Sequence, residues 1–249
     1  MGLGGIALQT SVSLAPRVRN EVSMWPQEVE ERRTRMKELI RRLEQRFPRR
    51  RHHPIRETFP LLIATLLSQN TSDKNSSQAF HNLQSHYAVT PHVLACLQPS
   101  DLRPHIAVAG LYEIRSRRII ALSQMVLEQF GGDLDAVLRR PTDEARRALM
   151  GLKGVGPKTA DILLAFRGNR PVMPVDTNIF RVSERIGLAA GRNYERTRGA
   201  LEAIIPPTKL GEMHFHLIRL GRDLCKPRRP LCPLCPLTDL CAYPHKTPG

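Results

Sequence analysis

No stretch of this 249-residue chain approaches the roughly 20 consecutive apolar residues that a bilayer-spanning helix needs, so no membrane partner is expected. Residues 1–24 have neither a basic start nor a long apolar segment, which disfavours a secretory signal. Ile6 stands where a myristoylation signal needs Ser or Thr. That segment reads as a disordered tail on a cytoplasmic protein, with an organellar transit peptide left open. Convincing period-2 alternation is also missing, which removes half-buried strands from consideration. Aromatics are few, at 5%, and acid is short: 23 Asp and Glu face 38 Lys and Arg.

What the chain does have is a net charge of +15, with basic residues in every region rather than in one detachable tail. A polyanion is the natural partner, nucleic acid ahead of a membrane surface. Apolar residues recur at helical spacing. Met36, Leu39, Ile40, Leu43 and Phe47 mark one amphipathic helix, ended by Pro48 and a basic run to Arg51. Phe59 to Leu67 reads as a buried helix. Ala79, Phe80, Leu83 and Tyr87 continue the pattern, as do Ile119, Leu122, Val126 and Phe130 up to Gly131-Gly132. Further helices are expected over 142–150, from Tyr194 to Ile205, and from Gly211 to Leu224. The expected fold class is all-α.

The chemistry gathers between Gly151 and Asp176. Gly154 and Gly156 flank Val155, so the backbone is expected to turn sharply with positive φ and to let another chain approach closely. Pro157 suits the first position of a helix whose core face is Ile162, Leu163, Leu164 and Phe166, and Gly168 suits the position just past its end. The free N–H groups of such a hairpin form a docking site for phosphate. Lys158 lies in the first turn of that helix, a candidate amine nucleophile able to form a Schiff base with a sugar aldehyde carbon. Asp176 is expected to cap a helix from Thr177 to Ile186. Arg115, Arg117 and Arg118, at the start of the helix ending at Phe130, are candidates for phosphate contacts.

Four of the five cysteines, Cys225, Cys232, Cys235 and Cys241, fall near the end with spacing C-x6-C-x2-C-x5-C. Without a secretion signal this argues for metal rather than disulfides, and on ligand type alone zinc and an iron–sulfur cube are close. Lys226, Arg228 and Arg229 project from a proline-stiffened loop between the first two ligands. Cys96 is expected to be a buried small hydrophobe.

Leu152 to Ala160, Val175-Asp176-Thr177-Asn178-Ile179-Phe180-Arg181-Val182 and the cysteine spacing together resemble the endonuclease III superfamily of DNA glycosylases, over about Met36 to Cys241. The resemblance implies two helical lobes: a helical barrel over 53–170, with a helix-hairpin-helix at about 142–167, and a cluster domain of 25–52 plus 171–249. It implies a [4Fe–4S] cluster on Cys225, Cys232, Cys235 and Cys241. It implies Lys158 as the nucleophile, with Asp176 assisting its deprotonation or stabilising the cationic sugar. Asn70, with Gln69 as neighbour, would fill the gap left by an extruded base, and Leu111 would press into the opposite strand. Gly154, Val155 and Gly156 would grip the DNA backbone, with Lys226, Arg228 and Arg229 adding phosphate contacts. The implied activity is a bifunctional glycosylase and AP lyase, acting as a monomer on duplex DNA with an oxidised pyrimidine such as thymine glycol, or with an abasic site. Asn178 stands where a histidine is common, Lys153 replaces a proline and Pro157 a basic residue, which leaves a uracil or thymine mismatch glycosylase as an alternative. A non-catalytic iron–sulfur DNA-binding protein is a second alternative, disfavoured by the presence of both Lys158 and Asp176.

Overall fold

The computed structural model describes residues 26–48, 53–189, 191 and 193–248, with side chains from residue 30 onward. The expectations for residues 1–24 and for the basic run at Arg49 to Arg51 lie outside the described residues. Within them the chain is helical and contains no strand. The helices are α1 (Pro26–Arg46), α2 (Thr58–Leu67), α3 (Asp73–His86), α4 (Pro91–Ala95), α5 (Pro99–Ile106), α6 (Tyr112–Phe130), α7 (Leu134–Arg139), α8 (Thr142–Met150), α9 (Pro157–Phe166), α10 (Thr177–Ile186), α11 (Tyr194–Ile204) and α12 (Leu210–Asp223).

Their ends are written in local chemistry. Ser72, Thr90, Asp133, Asp176 and Asn193 each cap the helix that follows by accepting a backbone N–H two or three positions in. Pro157 opens α9, where its missing N–H would have lacked a helical partner. Gly131 closes α6 in the left-handed conformation.

Two hydrophobic cores follow. One gathers residues from Phe59 to Val172, built on α2 through α9. The other combines Met36, Leu39, Ile40, Leu43 and Phe47 of α1 with residues from Met173 to Leu237. The chain therefore passes once from the first lobe to the second, between Val172 and Met173, four residues before Asp176. α1 returns to the second lobe and fastens the C-terminal segment: Arg42 donates to the Pro236 carbonyl at 3.0 Å and to Asp239 at 2.6 Å, and Arg35 donates to the carbonyls of Ile186 and Leu240. Across the cleft between the lobes, Arg222 of α12 donates to Asp73 of α3 at 2.8 Å.

Two local expectations are corrected, and a third, Gly168 just past the end of α9, holds for a different reason. Of the two hairpin glycines only Gly154 has positive φ (+92°); Gly156 is extended at −93°. Past α9 the left-handed residue is Asn169, while Gly168 is required for space, since a Cβ there would sit 2.9 Å from the Leu164 carbonyl oxygen. Cys96 is exposed at the end of α4, because only Pro91 and Leu94 of that short helix face the core.

Candidate active site

Lys158 is half-buried in the first turn of α9, directly after the exposed backbone of Gly154 and Gly156. The hairpin is α8, the loop Gly151 to Gly156, and α9. Its tip is closed by the Val155 amide donating to the Leu152 carbonyl at 3.0 Å. Val155 itself is buried in the first core, and its N–H is already engaged. The expectation that Val155 grips DNA is thus corrected: the residue anchors the turn, and Gly154 and Gly156 present the open backbone.

Asp176 is buried at the N-terminus of α10, where one carboxylate oxygen accepts from the Ile179 amide at 2.8 Å. The other accepts from the Asn178 side-chain amide at 3.0 Å. Asn178 in turn accepts from Arg181 at 2.8 Å, and Arg181 donates to the carbonyls of Gly221 and Cys225 at 2.8 Å each. A chain of hydrogen bonds therefore runs from the Asp176 carboxylate to the first residue of the cysteine-rich loop. α12 lies close against this chain at Gly221, where a Cβ would fall 2.8 Å from that of Asn178.

His214 of α12 joins the lysine and the aspartate. Its ring is buried, and its Nδ1 donates to the Pro174 carbonyl at 2.9 Å. Burial pushes its pKa down to about 4, against the Pro174 bond and Asp176, which raise it, while Lys158 adds to the depression. Both charges act on the His214 ring, with Arg222 adding to the depression, and the imidazole is neutral at physiological pH. One turn along α9 from Lys158, Ile162 lines a cavity of about 400 Å³ between the lobes. Thr65, Ser68, Asp73, His214 and Arg222 supply its polar wall, and Phe166 and Phe215 its apolar one. A volume of this order accommodates a ring of nucleobase size.

The two wedge candidates occupy exposed loop tips, both in the left-handed conformation: Asn70 at φ +55° and Leu111 at φ +50°. Gln69 is half-buried and its side-chain amide points to the Gly154 carbonyl at 3.5 Å, so Asn70 is the freer of the two. Arg115 corrects the expectation made for it. It is 4% exposed, and its guanidinium donates to Gly110 at 2.8 Å, to Leu66 at 2.7 Å and to the Gln69 carbonyl. A buried fork bonded to three carbonyls cannot serve a phosphate; it braces the Asn70 and Leu111 loops against each other.

In the C-terminal loop Cys225, Cys232, Cys235 and Cys241 line one cavity. Burial, with the three neighbouring sulfurs, pushes the Cys235 thiol up to about 11. Arg185 donates toward Cys225 Sγ at 3.4 Å and stacks over the Tyr243 ring at 4.4 Å. Among the described residues no three His, Cys, Asp or Glu side chains close on a single ion. Lys226, Arg228 and Arg229 are exposed on the same loop.

Residues 63–207 match the HhH-GPD superfamily of base excision DNA repair proteins. Endonuclease III of Thermotoga maritima is 36% identical over 208 residues, which is 84% of this chain and 92% of that protein. Endonuclease III of Escherichia coli K12 is 34% identical over 214 residues, 84% of this chain and 95% of that one. The chain belongs to the endonuclease III family. Its fold matches that family's structures: an endonuclease III–DNA covalent intermediate trapped as an estranged-adenine complex superposes with a TM-score of 0.73 at 31% identity, covering 84% of this chain and 95% of that one. A thermostable thymine-DNA glycosylase shares the fold at a TM-score of 0.68 and 22% identity, covering 86% of this chain and 97% of that one. The protein is accordingly a base excision repair glycosylase. Sequence reasoning missed Arg222 entirely. Nothing local to the sequence places Asp73 or His214 at this cavity either, because their meeting depends on two lobes closing over it.

Proposed function

We propose that this endonuclease III family member is a bifunctional DNA glycosylase and AP lyase that removes oxidised pyrimidines of the thymine glycol type from duplex DNA. The observation that supports the reading is the placement of Lys158 in the first turn of α9 after an open hairpin and of Asp176, buried, at the start of α10, with an interlobe cavity lined by Ile162 of α9 and by His214. The trapped covalent complex of a relative with DNA supports a covalent nucleophile, and Lys158 is the candidate here. Backbone N–H groups at Gly154 and Gly156, with Lys226, Arg228 and Arg229, hold phosphates and give affinity that falls with salt. Asn70 and Leu111 occupy the space left as the damaged base rotates into the cavity. Asp176 stabilises the positive charge that develops on the sugar as the base leaves with its bonding electrons. The Lys158 amine forms a bond to C1′ as the base leaves, and breaking the C1′–O4′ bond, with a proton passing to O4′, opens the ring and gives the Schiff base. Removal of a C2′ proton then expels the 3′ phosphate, which cuts the strand by β-elimination.

The family implies a [4Fe–4S] cluster, and the donor set suits one: four cysteines line a single cavity. Cys225, Cys232, Cys235 and Cys241 would hold it, and it would supply a rigid tie for the loop bearing the three cations. Borohydride trapping tests the enzymatic reading on duplexes carrying thymine glycol, uracil opposite guanine, or an abasic site. The expected result is a covalent adduct on thymine glycol, lost in Lys158→Ala, and base release reduced in Asp176→Asn. Base release without an adduct would remove the lyase step. An adduct confined to uracil would move the substrate to mispaired bases. Binding with neither would leave a non-catalytic protein.

A further inference from the structure

Asp161 is fully buried on α9, one turn beyond Lys158, and the chemistry above makes no use of it. Its carboxylate accepts from Arg146 of α8 at 2.8 Å and from the Tyr194 hydroxyl of α11 at 2.8 Å, with Arg198 of α11 at 3.5 Å. Arg146 also pairs with Glu195 at 2.7 Å, and Arg198 with Glu202 at 2.8 Å. The two hairpin helices of the first lobe and α11 of the second are thereby joined through one buried anion. Such a group persists in a core only when its neighbours satisfy it, and here two guanidiniums and a phenol do so.

The cluster does not stop at α11. The Tyr194 oxygen that donates to Asp161 also accepts the Val175 amide at 3.4 Å. Glu202 accepts the Met173 amide at 2.9 Å, and His214 donates to the Pro174 carbonyl at 2.9 Å. Each of the three residues leading into Asp176 thus has a backbone polar group held by a side chain, two of them through the Asp161 cluster. Burial and the adjacent Asp161 charge raise the Tyr194 phenol well above its ordinary range, so it remains a donor at any working pH.

We propose that Asp161 and Tyr194 are positioning residues that lock the Lys158 helix to the Asp176 loop and so set the spacing of amine and carboxylate across the two lobes. The proposal rests on the reading of Lys158 and Asp176 as the reacting pair. Base release needs both groups, whereas adduct formation on a preformed abasic site needs only the lysine. Loosening the lock therefore acts on the first step more than on the second.

The test compares single-turnover base release with borohydride trapping on an abasic duplex, in wild type, Tyr194→Phe, Asp161→Asn and Glu195→Gln. Tyr194→Phe keeps the ring and removes the bridge. Displacement of a reacting group by under an ångström is enough to lower the ratio of release to trapping about 10-fold, with duplex affinity unchanged. Glu195→Gln touches only the exposed rim and leaves the ratio as in wild type. Should Tyr194→Phe fail to fold, Asp161→Asn reads the same ratio. An unchanged ratio, or equal loss of both steps alongside a lower Tm, overturns the positioning role. No adduct in wild type overturns the enzymatic reading and the proposal with it, so the two failures are separable.

Discussion

Replacing Arg115 with methionine tests whether a buried cation can govern how a glycosylase opens DNA without touching it. Methionine retains the packing of the aliphatic stem but withdraws donors from three carbonyls: Leu66, which is buried, and Gln69 and Gly110 on the exposed loops. Losing the charged donor at the buried Leu66 carbonyl, which keeps only a long bond from the Gln69 amide at 3.3 Å, costs about 1.5–3 kcal/mol, while the two outer carbonyls can recruit water and lose less. Relief of the desolvation that already lowers the Arg115 pKa offsets part of this. The net expectation is a loss of about 3 kcal/mol, or roughly 6–12 °C in Tm for a domain of this size. The functional effect is separate, because Asn70 and Leu111 lose the common brace that aims both into the duplex. Fluorescence of 2-aminopurine opposite an abasic analogue should report slower or smaller unstacking. A phosphate contact would behave differently: its removal lowers the slope of log affinity against log salt by about 1. We expect the slope of Arg115→Met to match wild type. A reduced slope with unchanged Tm and unchanged unstacking would refute the brace and restore the contact.

Leu111 holds a left-handed conformation that disfavours any residue with a Cβ, so Leu111→Gly should raise folding stability by about 1 kcal/mol while diminishing base release, measured by urea unfolding and single-turnover excision. Gly221→Ala places a methyl 2.8 Å from the Asn178 Cβ and 3.1 Å from Arg181, and should lower base release by displacing the Asp176–Asn178–Arg181 chain. Normal excision with an unchanged Tm would mean that α12 can give way at no consequence. His214, whose pKa is pushed down to about 4 by burial, confers stability that is complete above its unfolded value of about 6.5 and declines as pH falls toward 4. Between pH 7.5 and 4.5 this is about 2–3 kcal/mol, and His214→Asn, which keeps a donor near Nδ1 but no titrating ring, should flatten that part of the stability profile in urea titrations.

Local chemistry was legible wherever one element suffices to determine it. Helix α10 begins at its Asp176 cap and ends at Ile186 as its sequence signals, and Pro157 opens α9. The loops of Asn70 and Leu111 emerge as exposed tips because their flanking helices are set by apolar periodicity. What could not be read was the destination of side chains that cross between elements. Arg115 stands beside Arg117 and Arg118 in sequence, yet it alone turns inward, because the carbonyls of Leu66 in the last turn of α2 and of Gln69 just past it lie opposite. Cys96 looked buried by composition, but a five-residue helix turns only part of its face to the core. Asp161 follows Lys158 by one turn with no local signal of its role; only the approach of α8 and α11 makes it a hub.

The same crossing contacts revise what the net charge of +15 means. Every helix ends with carbonyls that have no intrahelical partner, and arginine can reach them with a planar fork. Here Arg115 meets the end of α2, Arg170 the carbonyls of Leu138, Arg139 and Arg140 at the end of α7, and Arg35 that of Ile186 at the end of α10. Arg33 takes Ala203 near the end of α11, and Arg181 takes Gly221 in the last turn of α12. Arg185 does the same for Lys226 and Pro227 in the cysteine loop. These cations are committed to closing helices and loops in a small all-α fold, and they are poorly available to release counterions from DNA. The salt dependence of binding should therefore track exposed cations such as Arg117, Arg118, Lys153, Lys226, Arg228 and Arg229, with Lys153 and the three of the cysteine loop tested first, rather than the formal charge. Single substitutions at those four positions should each lower the slope by about 1, whereas loss of Arg33, Arg35 or Arg170 should lower Tm and leave the slope where it was.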